Sequence, residues 1–203
     1  MASRICTASL AATAALTAGL ATTAAPAHAG RPAPAEPTAR AGGTSLHFDK
    51  NRRDPSASRV RLVHSATGRV LAAYRAGSGQ GGRAGRDECA KNRGWLPDGT
   101  YRVLSHTTRK QGGRDGINGY AIRVSDQVCR DGRTRRTALF LHSEMRPDGT
   151  QGPAHPGRDA PYRWDGDSDY RSLGCVKLAP EDIKDLFAAA QRYGWPASLK
   201  VAK

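Results

Sequence analysis

The stretch that decides the fold is Arg59-Val60-Arg61-Leu62-Val63-His64-Ser65-Ala66-Thr67-Gly68-Arg69-Val70-Leu71-Ala72-Ala73-Tyr74. Two short runs rich in Val and Leu flank Ser-Ala-Thr-Gly, which is the pattern of a β-hairpin. The same grammar continues downstream. Pro97-Asp98-Gly99 is a turn that feeds a strand over Thr100–Leu104. Gly112 to Gly116 is a turn before a strand over Tyr120–Val124. Residues 77–85 are too glycine-rich for regular structure. Thr137-Ala138-Leu139-Phe140-Leu141 is a continuous apolar run and reads as a buried central strand.

One helix stands out. Pro180 suits its first position, and Glu181 and Asp182 favour its positive end. Ile183, Leu186, Phe187 and Ala190 recur at i, i+3, i+4 and i+7, giving one apolar face. Gly194 stops the helix, Pro196 follows, and Ala197–Val201 reads as a closing strand. Many short strands and one late helix predict a mostly-β sandwich or half-barrel with that helix packed on it. There is no internal repeat.

Upstream of the hairpin, Thr44–Phe48 has the character of a short first strand, and 30–43 is a Pro/Ala/Arg-rich spacer. The expected organisation is a leader over 1–29, a linker with one short strand over 30–57, and the main domain over 58–203. The leader has Arg4 ahead of an uncharged Ala/Leu/Thr-rich run from Ile5 to Ala25. Ala27-His28-Ala29 fits a small-x-small cleavage site, so export with cleavage near Ala29–Gly30 is expected rather than a transmembrane anchor. No other segment is apolar enough to span a bilayer.

The formal net charge is +14. That favours an anionic partner, and after export an anionic cell-wall polymer or membrane surface fits better than nucleic acid. The arginines are scattered, and no basic motif with interleaved aromatics occurs. The bland alternative is a solvated basic surface.

Of the four cysteines, Cys6 lies in the leader. The odd remainder of three in an exported chain implies one bridge and one separate thiol. Cys89 and Cys129 lie in polar, loop-like surroundings and are the natural pair. Their bridge would close about 40 residues, a gain on the order of 3–4 kcal/mol in the chain-entropy model. Cys175 then stays free. No C-x-x-C or H-x-x-x-H spacing supports a zinc site, and no metal or cofactor is expected.

Cys175 lies in Ser172-Leu173-Gly174-Cys175-Val176-Lys177, and His142 ends the apolar run at Phe140-Leu141. A thiol, a base and glycine-flanked backbone donors are the parts of an acyl-transfer site. Gly174 lets a substrate approach the main chain, and the Gly174–Cys175 peptide can supply oxyanion donors. The Ser172 hydroxyl or a local carbonyl can fix the histidine tautomer or the loop, and Lys177 can hold a substrate carboxylate. Taken singly, a cysteine is more often a small buried hydrophobe, a histidine a satisfied core group, and a lysine a surface charge.

Together these residues resemble a family. Ser172-Leu173-Gly174-Cys175-Val176-Lys177 is similar to the Ser/Thr-x-Gly-Cys-apolar-Arg/Asn signature of the YkuD-type L,D-transpeptidases. Phe140-Leu141-His142-Ser143 resembles the strand end that carries that family's histidine, with Ser143 beside it as a supporting residue. Trp95 to Tyr101 and Gly77-Ser78-Gly79 resemble two further segments, in order, across roughly Arg59 to Val201. The resemblance implies a secreted enzyme of cell-wall biogenesis and cell shape. Cys175 would attack a peptidoglycan tetrapeptide stem, release D-Ala and form a thioester. His142 would act as base or as the imidazolium partner of a thiolate. A second stem would accept the acyl group as a 3→3 cross-link; with water as acceptor the enzyme is an L,D-carboxypeptidase. Carbapenems are implied as covalent ligands of Cys175. From another class comes a non-catalytic, cationic wall-binding protein.

The sequence departs from the family in three ways. Leu173 stands where many members have His. Lys177 replaces Arg or Asn and loses the bidentate fork. The interval from His142 to Cys175 is long, so residues 143–171 read as an enlarged loop. Within it His155 is a rival base, and Tyr162 and Trp164 either line a substrate groove or pack the loop.

Overall fold

A computed structural model describes residues 43–160 and 162–202; the expected leader and most of the expected spacer lie outside them. Ten strands and two helices follow in order. They are β1 (Thr44–Asp49), β2 (Ser58–His64), β3 (Val70–Ser78), α1 (Gly82–Gly85), β4 (Gly99–Lys110) and β5 (Gly119–Val124), then β6 (Gln127–Val128), β7 (Arg135–Arg136), β8 (Phe140–His142), β9 (Val176–Leu178), α2 (Pro180–Tyr193) and β10 (Ser198–Ala202).

Eight strands close into a barrel in the order β1-β10-β4-β5-β8-β9-β3-β2, and β6 and β7 form a separate two-stranded sheet. Closure removes the free edges that a half-barrel would leave. The fold is therefore mostly β with one long late helix, closed rather than open. The step that closes it is β1, which pairs parallel with β10 and antiparallel with β2. Residues 44–57 thus begin the barrel instead of preceding it.

The hairpin of 59–74 forms as β2 and β3, with Val60 opposite Tyr74. Alternation places Leu46, Phe48, Val60 and Leu62 in the core, all fully buried. On α2, Ile183, Leu186, Phe187 and Ala190 are buried, as their spacing predicts. Each large side chain among them contributes about 1.5–3 kcal/mol. Phe187 meets Tyr120 of β5 edge-on, and the helix also lies on β3 and β2. Among the described residues no helix is long and apolar enough to cross a membrane.

Two readings need correction. The apolar run 137–141 is a strand only over Phe140–His142, because Ala138 takes a positive φ of 53° that breaks the extended chain. Within 77–85, β3 continues through Ser78 and Gly82–Gly85 forms one helical turn. Glycine content lowered the propensity, but tertiary pairing of Gly77 with Lys177 decided the state.

Candidate functional site

β8 and β9 are parallel neighbours, with Leu141 opposite Val176 and His142 opposite Lys177. This pairing brings the base-bearing strand end beside the loop that leads into β9. His142 and Cys175 line one cavity of about 790 Å³.

The Cys175 loop is fastened by small side chains. Ser172 Oγ accepts the N–H groups of Gly79 and Gly174, both at 3.1 Å, and donates to the Cys175 carbonyl at 2.6 Å. Ser78 Oγ donates to the Gly174 carbonyl at 3.3 Å and accepts the Leu96 N–H at 2.9 Å. Of the two roles expected for Ser172, the histidine tautomer or the loop, it takes the loop. The Gly174 N–H is already consumed, and the Cys175 N–H, which is the N–H of the Gly174–Cys175 peptide, has no partner among the described residues.

Gly174 is required for a different reason. Its φ is +132°, and a Cβ there would come within 1.9 Å of Arg136 Nη2. Arg136, on β7, is buried at 4% exposure. Its guanidinium donates to the carbonyls of Glu88 (2.6 Å), Gly94 (3.0 Å), Leu173 (2.9 Å) and Trp95 (3.4 Å). It ties the Cys175 loop to the segment that carries the Cys89–Cys129 disulfide, which is formed as expected. In sequence Arg136 is one of many scattered arginines. Its signal was a charge placed directly before the apolar run 137–141.

Cys175 is free and half-buried. Burial pushes its thiol above the ordinary value; a Phe140 backbone hydrogen bond, Arg136 and Lys177 pull the other way. His142 Nδ1 lies 3.0 Å from the Ser143 carbonyl. A carbonyl only accepts, so Nδ1 carries the proton and Nε2 is the available base. Burial, reinforced by the Lys177 charge and opposed by the Ser143 contact, holds the imidazole down at about 4. The resting pair at neutral pH is therefore thiol and neutral imidazole.

Ser143 acts through its main chain: its own hydroxyl is buried with no described partner. Lys177, expected to bind a substrate carboxylate, is instead buried and paired with Glu144. A Lys at this position stays inside only with such a partner. The Glu144, Asp159 and Asp169 carboxylates converge, with oxygens within 4.8 Å of one another. They are the groups best spaced for a cation, and Lys177 already fills that role for Glu144. Tyr162 lines the cavity. Trp164 does not; it packs edge-on against Tyr170, centroids 4.7 Å apart, and so belongs to the packing of the loop. His155 is exposed and away from the cavity lining, which leaves His142 as the base facing it.

No protein-family model and no curated protein sequence matches this chain. Among solved structures it is similar to Bd1075 from Bdellovibrio bacteriovorus, with a TM-score of 0.46, 14% identity, and coverage of 78% of this chain and 47% of that one. It is also similar to the helical cell shape determining protein Pgp2 from Campylobacter jejuni, with a TM-score of 0.45, 12% identity, and coverage of 79% and 48%. The chain spans about half the length of each. Likenesses of this size carry no argument about what the chain does.

Proposed function

We propose that the protein is an exported cysteine acyltransferase of the L,D-transpeptidase type, acting on peptidoglycan stem peptides. The observation that carries the reading is the disposition of His142. Its Nδ1 is committed to the Ser143 carbonyl, its Nε2 has no partner among the described residues, and the residue lines the cavity that Cys175 also lines. A thiol and a tautomer-fixed base on one cavity are the minimal apparatus for acyl transfer.

The steps follow. Cys175 Sγ attacks the carbonyl carbon of the scissile peptide bond, and its proton passes to His142 Nε2. The Cys175 N–H faces the developing oxyanion. Collapse breaks the C–N bond, and the imidazolium returns the proton to the leaving D-Ala amine. A thioester remains. An acceptor amine then attacks it, gives its proton to Nε2, and the sulfur leaves and is reprotonated. With a second stem as acceptor the product is a 3→3 cross-link; with water it is a shortened stem. Carbapenems, which carry a strained acyl group, would enter at the first step and stop there. The cationic surface suits an anionic wall polymer as the surrounding matrix.

The test is mass spectrometry of products after mixing the protein, freed of its leader, with purified disaccharide-tetrapeptide. A dimer formed with loss of one D-Ala, absent with Cys175→Ala, is the expected result. Tripeptide alone would make the enzyme a carboxypeptidase. No product from folded protein with a free thiol would favour the non-catalytic wall-binding reading.

A further inference from the structure

We infer that Arg136 is the positioning residue that makes Cys175 a nucleophile: its buried guanidinium locks the Leu173–Cys175 backbone and supplies the positive charge that the thiolate faces. In a thiol–imidazole pair that charge is ordinarily the imidazolium's. Here His142, half-buried beside Lys177, rests neutral until it takes up the thiol proton. A standing positive charge near the sulfur would come from another group.

Two cations act on Cys175, Arg136 and Lys177. Lys177 is already ion-paired with Glu144, with Asp159 and Asp169 adjoining. Arg136 is not: among the described residues no carboxylate lies within ion-pair distance of it, and its hydrogen bonds all go to main-chain carbonyls. Asp87 and Glu88 act on it only at longer range, together with Tyr101 and Cys175 itself. Glu88 in turn is held by Lys50 and Arg130. A buried guanidinium without a counter-ion is costly. A Cys175 thiolate, once formed, would offset it, and Gly174, with no side chain, gives the guanidinium its way to the loop. The device is shaped as well as charged, because Arg136 also donates to the Leu173 carbonyl and so sets the turn that presents the sulfur.

The experiment is the pH dependence of iodoacetamide alkylation at Cys175 in the intact, disulfide-bonded protein. It needs no substrate, so it succeeds or fails independently of the peptidoglycan reading on which the role of Cys175 rests. In Arg136→Met the half-maximal pH should rise by about one to three units, the range for loss of a nearby opposite charge. Arg136→Lys, which keeps the charge and loses the fork, should rise less. His142→Ala should leave the midpoint where it is in wild type. A folded Arg136→Met with the wild-type midpoint overturns the inference. So does a His142→Ala midpoint that rises, since the imidazole would then be the counter-charge; this arm decides the matter if Arg136→Met does not fold.

Discussion

His142 and Lys177 are register partners across the parallel β8–β9 pair. The cation beside the imidazole is the second cause, after burial, of its low affinity for protons. A residue that the sequence offered as a substrate clamp thus adds to burial in holding His142 neutral.

The acid limb of the reaction should accordingly lie near pH 4, where His142 takes up its proton. A steady-state rate profile of stem cleavage measures this. Replacing the ion pair as a unit, Lys177→Met with Glu144→Gln, removes one depressing cause and should move the limb upward toward the ordinary histidine value. A limb that stays put in the double variant would remove Lys177 from the account.

Stability should carry the same signature. His142 binds its proton near 4 when folded and near 6.5 when unfolded. Between those values the unfolded chain holds more protons, so this contribution is complete above about pH 6.5 and is lost as pH falls toward 4. Its size is on the order of 3 kcal/mol. Urea unfolding at pH 7 and pH 4.5 should show a smaller loss for His142→Asn than for wild type.

Gly174→Ala should cost on the order of 3 kcal/mol and most of the activity. The new methyl meets Arg136 Nη2 at a backbone φ of +132°. Thermal unfolding and thiol alkylation should both report it, since the clash displaces the group that holds the loop.

Ser143→Ala should behave differently. The Ser143 hydroxyl is a buried donor without a described partner, while its carbonyl orients His142. Removing the hydroxyl relieves an unsatisfied group, so stability should hold or rise by up to about 1 kcal/mol. Turnover should be retained. A large loss of turnover would assign the hydroxyl a role in the reaction.

The Cys89–Cys129 bridge and the free Cys175 divide the thiol chemistry. Peptide mapping of native protein treated with iodoacetamide should find label on Cys175 alone. The double Cys89→Ser, Cys129→Ser variant should lose about 3–4 kcal/mol in the chain-entropy model. It should also lose activity beyond that cost, because Glu88, next to Cys89, is one of the four carbonyls that seat Arg136.

The elements were largely legible because their signals are local. The hairpin of 59–74 is written in two apolar runs and a turn. The face of α2 is written in the spacing of Ile183, Leu186, Phe187 and Ala190. Cys175 and His142 stood out in combination, through several motifs in order, since each alone reads more often as a core group. What remained hidden was long-range. Barrel closure depends on β1 meeting β10, partners from opposite ends of the described chain. The ion pair of Lys177 with Glu144, and the seating of Arg136 on four carbonyls, depend on which loops meet.

Sequence by itself therefore determined a mostly-β chain with a late amphipathic helix, one disulfide pair, one free cysteine and two rival histidines, His142 and His155. Hydrophobic period, turn chemistry and cysteine parity are properties of neighbouring residues or of simple counts. Tertiary structure alone decided that Lys177 is paired with Glu144, that His142 holds one tautomer against the Ser143 carbonyl, and that Arg136 is seated on four carbonyls beside the Cys175 loop. Charge and protonation depend on burial and on partners brought together by folding, and no local pattern records those.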